Sequence, residues 1–292
     1  MRPPLSSAAR LPGRRAGGRA LPAPLALLVA LAACGEEPPR TFEAPAAADP
    51  APSGPERTVQ DGASLAQALS DATGPLRIRL EAGRYGLDAL PPLVGTGIEL
   101  VGAGPDATEL TGGLRLDGCT GCRLTDLTLQ GPGPLLLARG GSVSVEDVRL
   151  IGSAPSDTAA VVVRSGSVEL EGVLVDGFAV GVALSDSARA QVRHSVLGTT
   201  RAGVHLGGGA GAIVVDNLFR GEGCPVWRDE DAFPGDDASG FMLLGNLTSG
   251  EATAFSPACL GTDALRWDDP DAVPVRLELE RIPALTPALA PR

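Results

Sequence analysis

Six eight-residue segments of this 292-residue chain align with one another: LTDLTLQG, VEDVRLIG, LEGVLVDG, VRHSVLGT, VVDNLFRG and LLGNLTSG, beginning at residues 124, 145, 170, 192, 214 and 243. Self-similarity at a period of about 22 residues restricts the chain to stacked architectures, because one such unit cannot bury its apolar side alone. A second set of short apolar stretches, AVVVRS, GVALSD and GVHLGG, starts at 160, 181 and 203, in phase with the first. Two or three short strands per repeat, rich in β-branched residues and poor in charge, suit a parallel β-solenoid with coils about 4.8 Å apart. Leucine-rich repeats share the period, but their recurring Leu and Asn ladder is missing.

Within a segment the first, fourth and sixth residues are mostly apolar, while the second and third are Glu, Asp, Arg, His or Gly in the earlier coils. Strand alternation is thus broken by one residue, as a corner requires. Asp216 is expected outside that corner and Asn217 just past it, turned inward. Asn217 and Asn246 hold the same place in successive coils, with Ser195 before them. A buried amide there is satisfied by bridging coil backbones. Upstream, one helix is predicted over Ser64–Ala72, with Leu65, Ala68 and Leu69 on one face, followed by a strand IRLEAGRY. Nothing downstream reads as an amphipathic helix.

The stretches SLAQALSDATGPLRIRLEAGRY and IELVGAGPDATELTG, and the G-V-x-L strand followed by V-x-D-N-x-F, resemble the pectin-lyase-like right-handed parallel β-helix superfamily over residues 58 to 255 or so. The resemblance implies an all-β fold: a single-stranded right-handed parallel β-helix with a short N-terminal capping helix. It is weak for activity, since that superfamily holds polysaccharide lyases, hydrolases, epimerases and members with no known catalysis. The catalytic signatures expected of it (Gly-His-Gly, an Asn-Thr-Asp strand, Arg-x-Pro-x-x-Arg) are missing.

The first residues carry Arg10, Arg14, Arg15 and Arg19, then an apolar run too short to span a bilayer comfortably. It ends in Leu31-Ala32-Ala33-Cys34-Gly35, which resembles a bacterial lipoprotein signal. That resemblance implies lipidation of Cys34, cleavage before it, and a place in the bacterial cell envelope on the periplasmic or outer side. The expected organisation is a signal peptide over 1–33, a Pro/Ala-rich tether over 34–57, a β-helix over 58–267, and a C-terminal capping segment and tail over 268–292. The membrane is then reached through the acyl anchor, and a monomer is expected. The formal charge is −11 and all 24 basic residues are Arg. Lysine bases and Schiff-base chemistry are excluded, and nucleic-acid binding is disfavoured because no basic patch of that type is present.

Enzymes of the resembled superfamily are expected to act along one outward strand face. Here the period stacks Val162, Ala183, His205 and Trp227 in one outward column and Arg164, Ser185, Gly207 and Asp229 in the next. Trp227 offers a flat face for a sugar ring, His205 or Asp229 could move a proton, and Arg164 adds a cation. The acidic stretch after them, with Asp229, Glu230, Asp231, Asp236 and Asp237, could supply oxygen ligands to Ca²⁺; the alternative is a solvated loop over Trp227. No other cofactor is expected. His194 is expected at a corner, hydrogen-bonded to Asp216, and Glu171 opposite Arg193 as an ion pair. Leu174, Val196, Leu218 and Leu247 form an outward aliphatic stripe, for which the C-terminal segment around LRWDD and RLELERI is the expected cover. Setting Cys34 aside, four cysteines in an exported chain suggest two disulfides. Cys119–Cys122 and Cys224–Cys259 are favoured over a four-cysteine zinc site. Two functions follow: a non-catalytic tethered β-helix binding polysaccharide or an envelope protein, or a polysaccharide lyase or glycoside hydrolase working at the His205/Trp227 face.

Overall fold

The computed structural model describes residues 54–87, 90–221, 223–229, 240–249, 259–260, 265–266 and 273–289. They build a right-handed parallel β-helix. Its first face is a nine-stranded sheet in which strands from successive coils lie side by side in chain order, from Glu56–Val59 to Phe241–Leu244. One inward column on this face runs Ile78, Leu100, Leu124, Val145, Leu170, Val192, Val214, Leu243, each beside the next. The last six are the first residues of the six aligned segments. The three coils before them carry no such segment and belong to the same stack.

The second and third faces are continuous in the middle coils. Arg149–Val163, Leu174–Leu184 and Val196–Leu206 are single long strands that bend at register breaks, rather than the separate short strands the sequence suggests. The third face pairs Leu114, Leu136, Val161, Val182, Val204 and Val226 inward. All six are buried.

The corner between first and second faces explains the broken alternation. Asp126, Asp147, Gly172, His194, Asp216 and Gly245, the third residues of the six segments, all have φ between 45° and 64°. Asp and His are enriched among the few non-Gly residues that accept this left-handed conformation. The residue after each turns inward: Leu127, Val148 and Val173 are fully buried, then Ser195, Asn217 and Asn246 follow. The Asn217 amide accepts from the Ser195 N–H at 2.9 Å and donates to the Val192 carbonyl at 2.9 Å and to Asn246 Oδ1 at 3.0 Å. Asn246 Nδ2 donates to the Val214 carbonyl at 2.8 Å, and Ser195 Oγ accepts from the Val173 N–H at 3.1 Å. A polar ladder thus climbs the interior of the last coils.

The same corner is acidic. Burial, then the charges of Asp126, Glu146 and Glu171, push the Asp147 carboxyl above its ordinary range. A carboxyl raised in the folded state contributes stability below its unfolded pKa, and that contribution is lost as pH rises through the folded value. Asp147→Asn, which keeps a side chain suited to positive φ, is therefore expected to be more stable than wild type at neutral pH and equal to it in acid. Denaturant melts at both pH values measure this.

The first helix, α1, spans Gly62–Ser70, two residues earlier at each end than predicted. Asp61 caps it by accepting from the Ser64 N–H, while Ser64 answers back to the Asp61 N–H. This reciprocal box fixes the start. Leu65, Ala68 and Leu69 are buried in the main core, as the spacing implies. The predicted strand IRLEAGRY divides into Leu76–Leu80 and Gly83–Gly86, because a corner falls between them.

The aliphatic stripe forms a second core. Leu174, Val196, Leu218 and Leu247 pack with Leu279, Leu285 and Ala288 of the C-terminal segment. That segment holds helices α2 (Val273–Glu280) and α3 (Thr286–Leu289), with a 3₁₀ turn at Pro283–Leu285 between them. No helix was expected downstream; the prolines keep each one to two turns or fewer, too short for a periodicity to show. RLELERI is the cover, whereas Leu265–Arg266, the described part of LRWDD, pairs in parallel with Leu247–Thr248 as another rung of the second face. Residues 273–289 therefore act as a lateral strap over the stripe. The Arg149 guanidinium donates to the Ala284 carbonyl at 3.0 Å and pairs with Asp106; Arg220 donates to the Ala288 carbonyl.

Cys119–Cys122 and Cys224–Cys259 are disulfide-bonded, the second joining the last third-face strand to an antiparallel strand, Cys259–Leu260. Cys34 and the expected tether up to residue 53 lie outside the described residues, while Glu56 and Arg57 already belong to the first strand. Among the described residues no helix is long and apolar enough to cross a membrane.

Candidate functional site

The third face carries the residues singled out by the period. Val162 pairs with Ala183, Ala183 with His205, and His205 with Trp227. All four are half-buried and face outward. The next outward column runs Asp117, Arg139, Arg164, Ser185, Gly207, Asp229, fixed by the pairing of Asp117 with Arg139 and by backbone bonds such as Asp229 N–H to the Leu206 carbonyl.

Two features of this surface follow from local chemistry. Trp227 and Asp229 lie two residues apart and so emerge on the same side. Register then sets His205 beside both, with Nε2 2.9 Å from Asp229 Oδ1. Gly207 makes room: a Cβ there would stand 3.1 Å from Asp229 Oδ2. The imidazole side chain is 33% exposed and the carboxylate 50%, so the pair is open to a ligand from solvent. A carboxylate on one ring nitrogen orients the imidazole and selects its tautomer, leaving Nδ1 for another partner.

Arg164 and Arg139 sit on neighbouring coils, both exposed, and neither is ion-paired among the described residues. Arg139 was missed from sequence, although the match of LLAR with VVVR in the following coil places it in the Arg164 column. Glu230, Asp231, Asp236 and Asp237 lie outside the described residues. Among those described, no three His, Cys, Asp or Glu side chains are grouped to hold a metal ion.

His194 is at its expected corner but is not hydrogen-bonded to Asp216: that carboxylate is 3.9 Å from Nε2, while Glu171 lies 3.5 Å from Nδ1 and Glu278 3.6 Å from Nε2. Glu171 therefore faces the imidazole rather than Arg193, its register partner and expected ion pair. Two open grooves, about 360 and 500 Å³, lie on the second face and share Leu174, Asp176 and Arg220; the smaller one also touches Pro287 and Ala288 of the strap. Neither touches the His205–Trp227 surface.

Compared with known proteins, the chain matches no family model and no curated sequence. Among solved structures it is similar to a mannuronic acid specific polysaccharide family 6 lyase from human gut microbiota, at 13% identity and a TM-score of 0.42. That match covers 67% of this chain and 59% of the lyase, so the chain spans less than two thirds of that protein's length. It is also similar to the pectate lyase Bsp165PelA from Bacillus sp. N165 in complex with trigalacturonate, at 12% identity, a TM-score of 0.31, and coverage of 80% and 94%. At these values no residue role passes from either protein to this one.

Proposed function

We propose that this chain is an envelope-anchored, non-catalytic β-helix that binds an anionic polysaccharide along its third face. The observation that carries the reading is the pair of Arg139 and Arg164, in register on adjacent coils and leading to Ser185, His205 and Trp227 on the same flank. Coil spacing sets these groups about 4.8 Å apart along the axis. Arginine suits carboxylate or sulfate groups because its planar fork donates two parallel bonds, and the indole gives a sugar ring an apolar platform. With a formal charge of −11, the chain as a whole repels polyanions, so binding would rest on this local pair. The acyl anchor proposed at Cys34 would hold the coils at the membrane through a tether.

Calorimetric titration with a polyuronate and with a neutral glucan tests the reading. Affinity for the polyuronate alone is expected, falling about tenfold in Arg164→Ala and at least as much in Trp227→Ala. Equal affinity for both glycans, or none for either, would refute it. Cys34→Ser is expected to release the protein from membranes into the soluble fraction.

A second reading is favoured by one contact, the His205–Asp229 pair. An oriented imidazole is a competent proton carrier, and a lyase or hydrolase would use it as the base. Hydrolysis of a glycosidic bond needs two carboxylates across it, and the other carboxylate of the Asp229 column, Asp117, stands at its opposite end. New unsaturated or reducing ends, lost in His205→Ala or Asp229→Ala, would establish this reading against the first.

A further inference from the structure

The left-handed corner column contains three Asp, two Gly and one base, His194. The strap crosses the corner where that base stands. Its ring is bracketed by carboxylates from three different elements: Glu171 on the coil before, 3.5 Å from Nδ1; Asp216 on the coil after, 3.9 Å from Nε2; and Glu278 on α2, 3.6 Å from Nε2. Asp147 lies one coil further along, close enough that a Cβ on Gly172 would stand 2.6 Å from its Oδ1 and 3.1 Å from Ile282 of the strap. The one cation adjacent in sequence is Arg193, on the outward side of the first face.

We propose that His194 is a proton-operated latch for the N-terminal half of the strap. With the ring charged, one cation binds three carboxylates and draws α2 onto the corner. With the ring neutral, Glu278 stands opposite Glu171 and Asp216 with no cation between them, and like charges push α2 away. The sign follows: the latch holds while the imidazole is protonated and releases once it is neutral. On the acid side it weakens again as Asp216 takes up its proton. Asp216 does so above its ordinary range, chiefly because of burial, with His194 acting in the opposite direction and Glu278 adding to the rise. The buried contacts of Leu279, Leu285 and Ala288, with the Arg149 and Arg220 bonds, keep the rest of the strap seated. The latch therefore modulates α2 rather than unfolding the coils.

Hydrogen exchange of the full chain reads this directly, with deuterium uptake of residues 273–282 corrected for intrinsic rates at about pH 5.5 and about pH 8. Wild type is expected to exchange there about threefold to fivefold faster at the higher pH, the scale of one partly exposed ion pair, while the core coils stay unchanged. His194→Asn, whose amide suits the left-handed corner, is expected to exchange fast at both pH values. Glu278→Gln, on an exposed position of α2, removes both the attraction and the repulsion and is expected to exchange at one rate at both pH values. Uptake independent of pH in wild type, or the wild-type ratio retained in either variant, overturns the proposal.

Discussion

Asn217→Ala is expected to lower the unfolding free energy by about 3 kcal/mol, the sum of the three buried side-chain hydrogen bonds it removes at about 1 kcal/mol each. The side chain is 0% exposed. Its loss strips the Ser195 N–H of its acceptor and the Val192 carbonyl and Asn246 Oδ1 of a donor. A denaturant melt with unchanged m-value and a lowered midpoint is the expected signature. A double-mutant cycle with Asn246→Ala is expected to show coupling, because the two amides share a bond. A loss below about 1 kcal/mol would mean that the ladder is no stronger than an exposed hydrogen bond.

That ladder also marks how far the sequence could be read. The six aligned segments are neighbours in the sheet almost residue for residue, because a closed coil of nearly fixed circumference leaves no freedom in register once one face is apolar. The same constancy placed Val162, Ala183, His205 and Trp227 in one column. The earlier coils were legible only through the family resemblance and not through the repeat, because LRIRL and IELV carry the inward alternation without the polar corner pair that made the other segments recognisable. The contact between His205 and Asp229 needed more than register. It depends on Gly207 leaving its side of the strand bare, a fact about the space between two side chains rather than about spacing in the chain. Glu171 and Arg193 show the opposite failure. They are register partners, yet Glu171 faces His194, in a corner that the strap reaches with Glu278. The strap's position is a tertiary outcome that prolines at 274, 283 and 287 hide from any helical periodicity.

Leu279→Ala with Leu285→Ala is expected to undock the strap, not to melt the coils. Each leucine is 0% exposed, and truncating such a side chain costs about 2–5 kcal/mol. Coils in a solenoid touch only their neighbours, so stability is nearly a sum of local terms. The strap departs from that rule, because one short segment packs on Leu174, Val196, Leu218 and Leu247, which belong to four successive coils, and reaches Arg149 on the coil before. Its removal would bare a continuous apolar stripe, which a hydrophobic dye would report, while the far-ultraviolet β signal persists. The energies should also saturate. Once the two substitutions exceed the docking energy of the strap, adding Arg220→Ala costs nothing further, since the Ala288 carbonyl it binds has already left. Additive losses through all three substitutions, with no dye binding before the main transition, would instead make strap and coils a single cooperative unit. A latch at His194 could then not act on α2 alone.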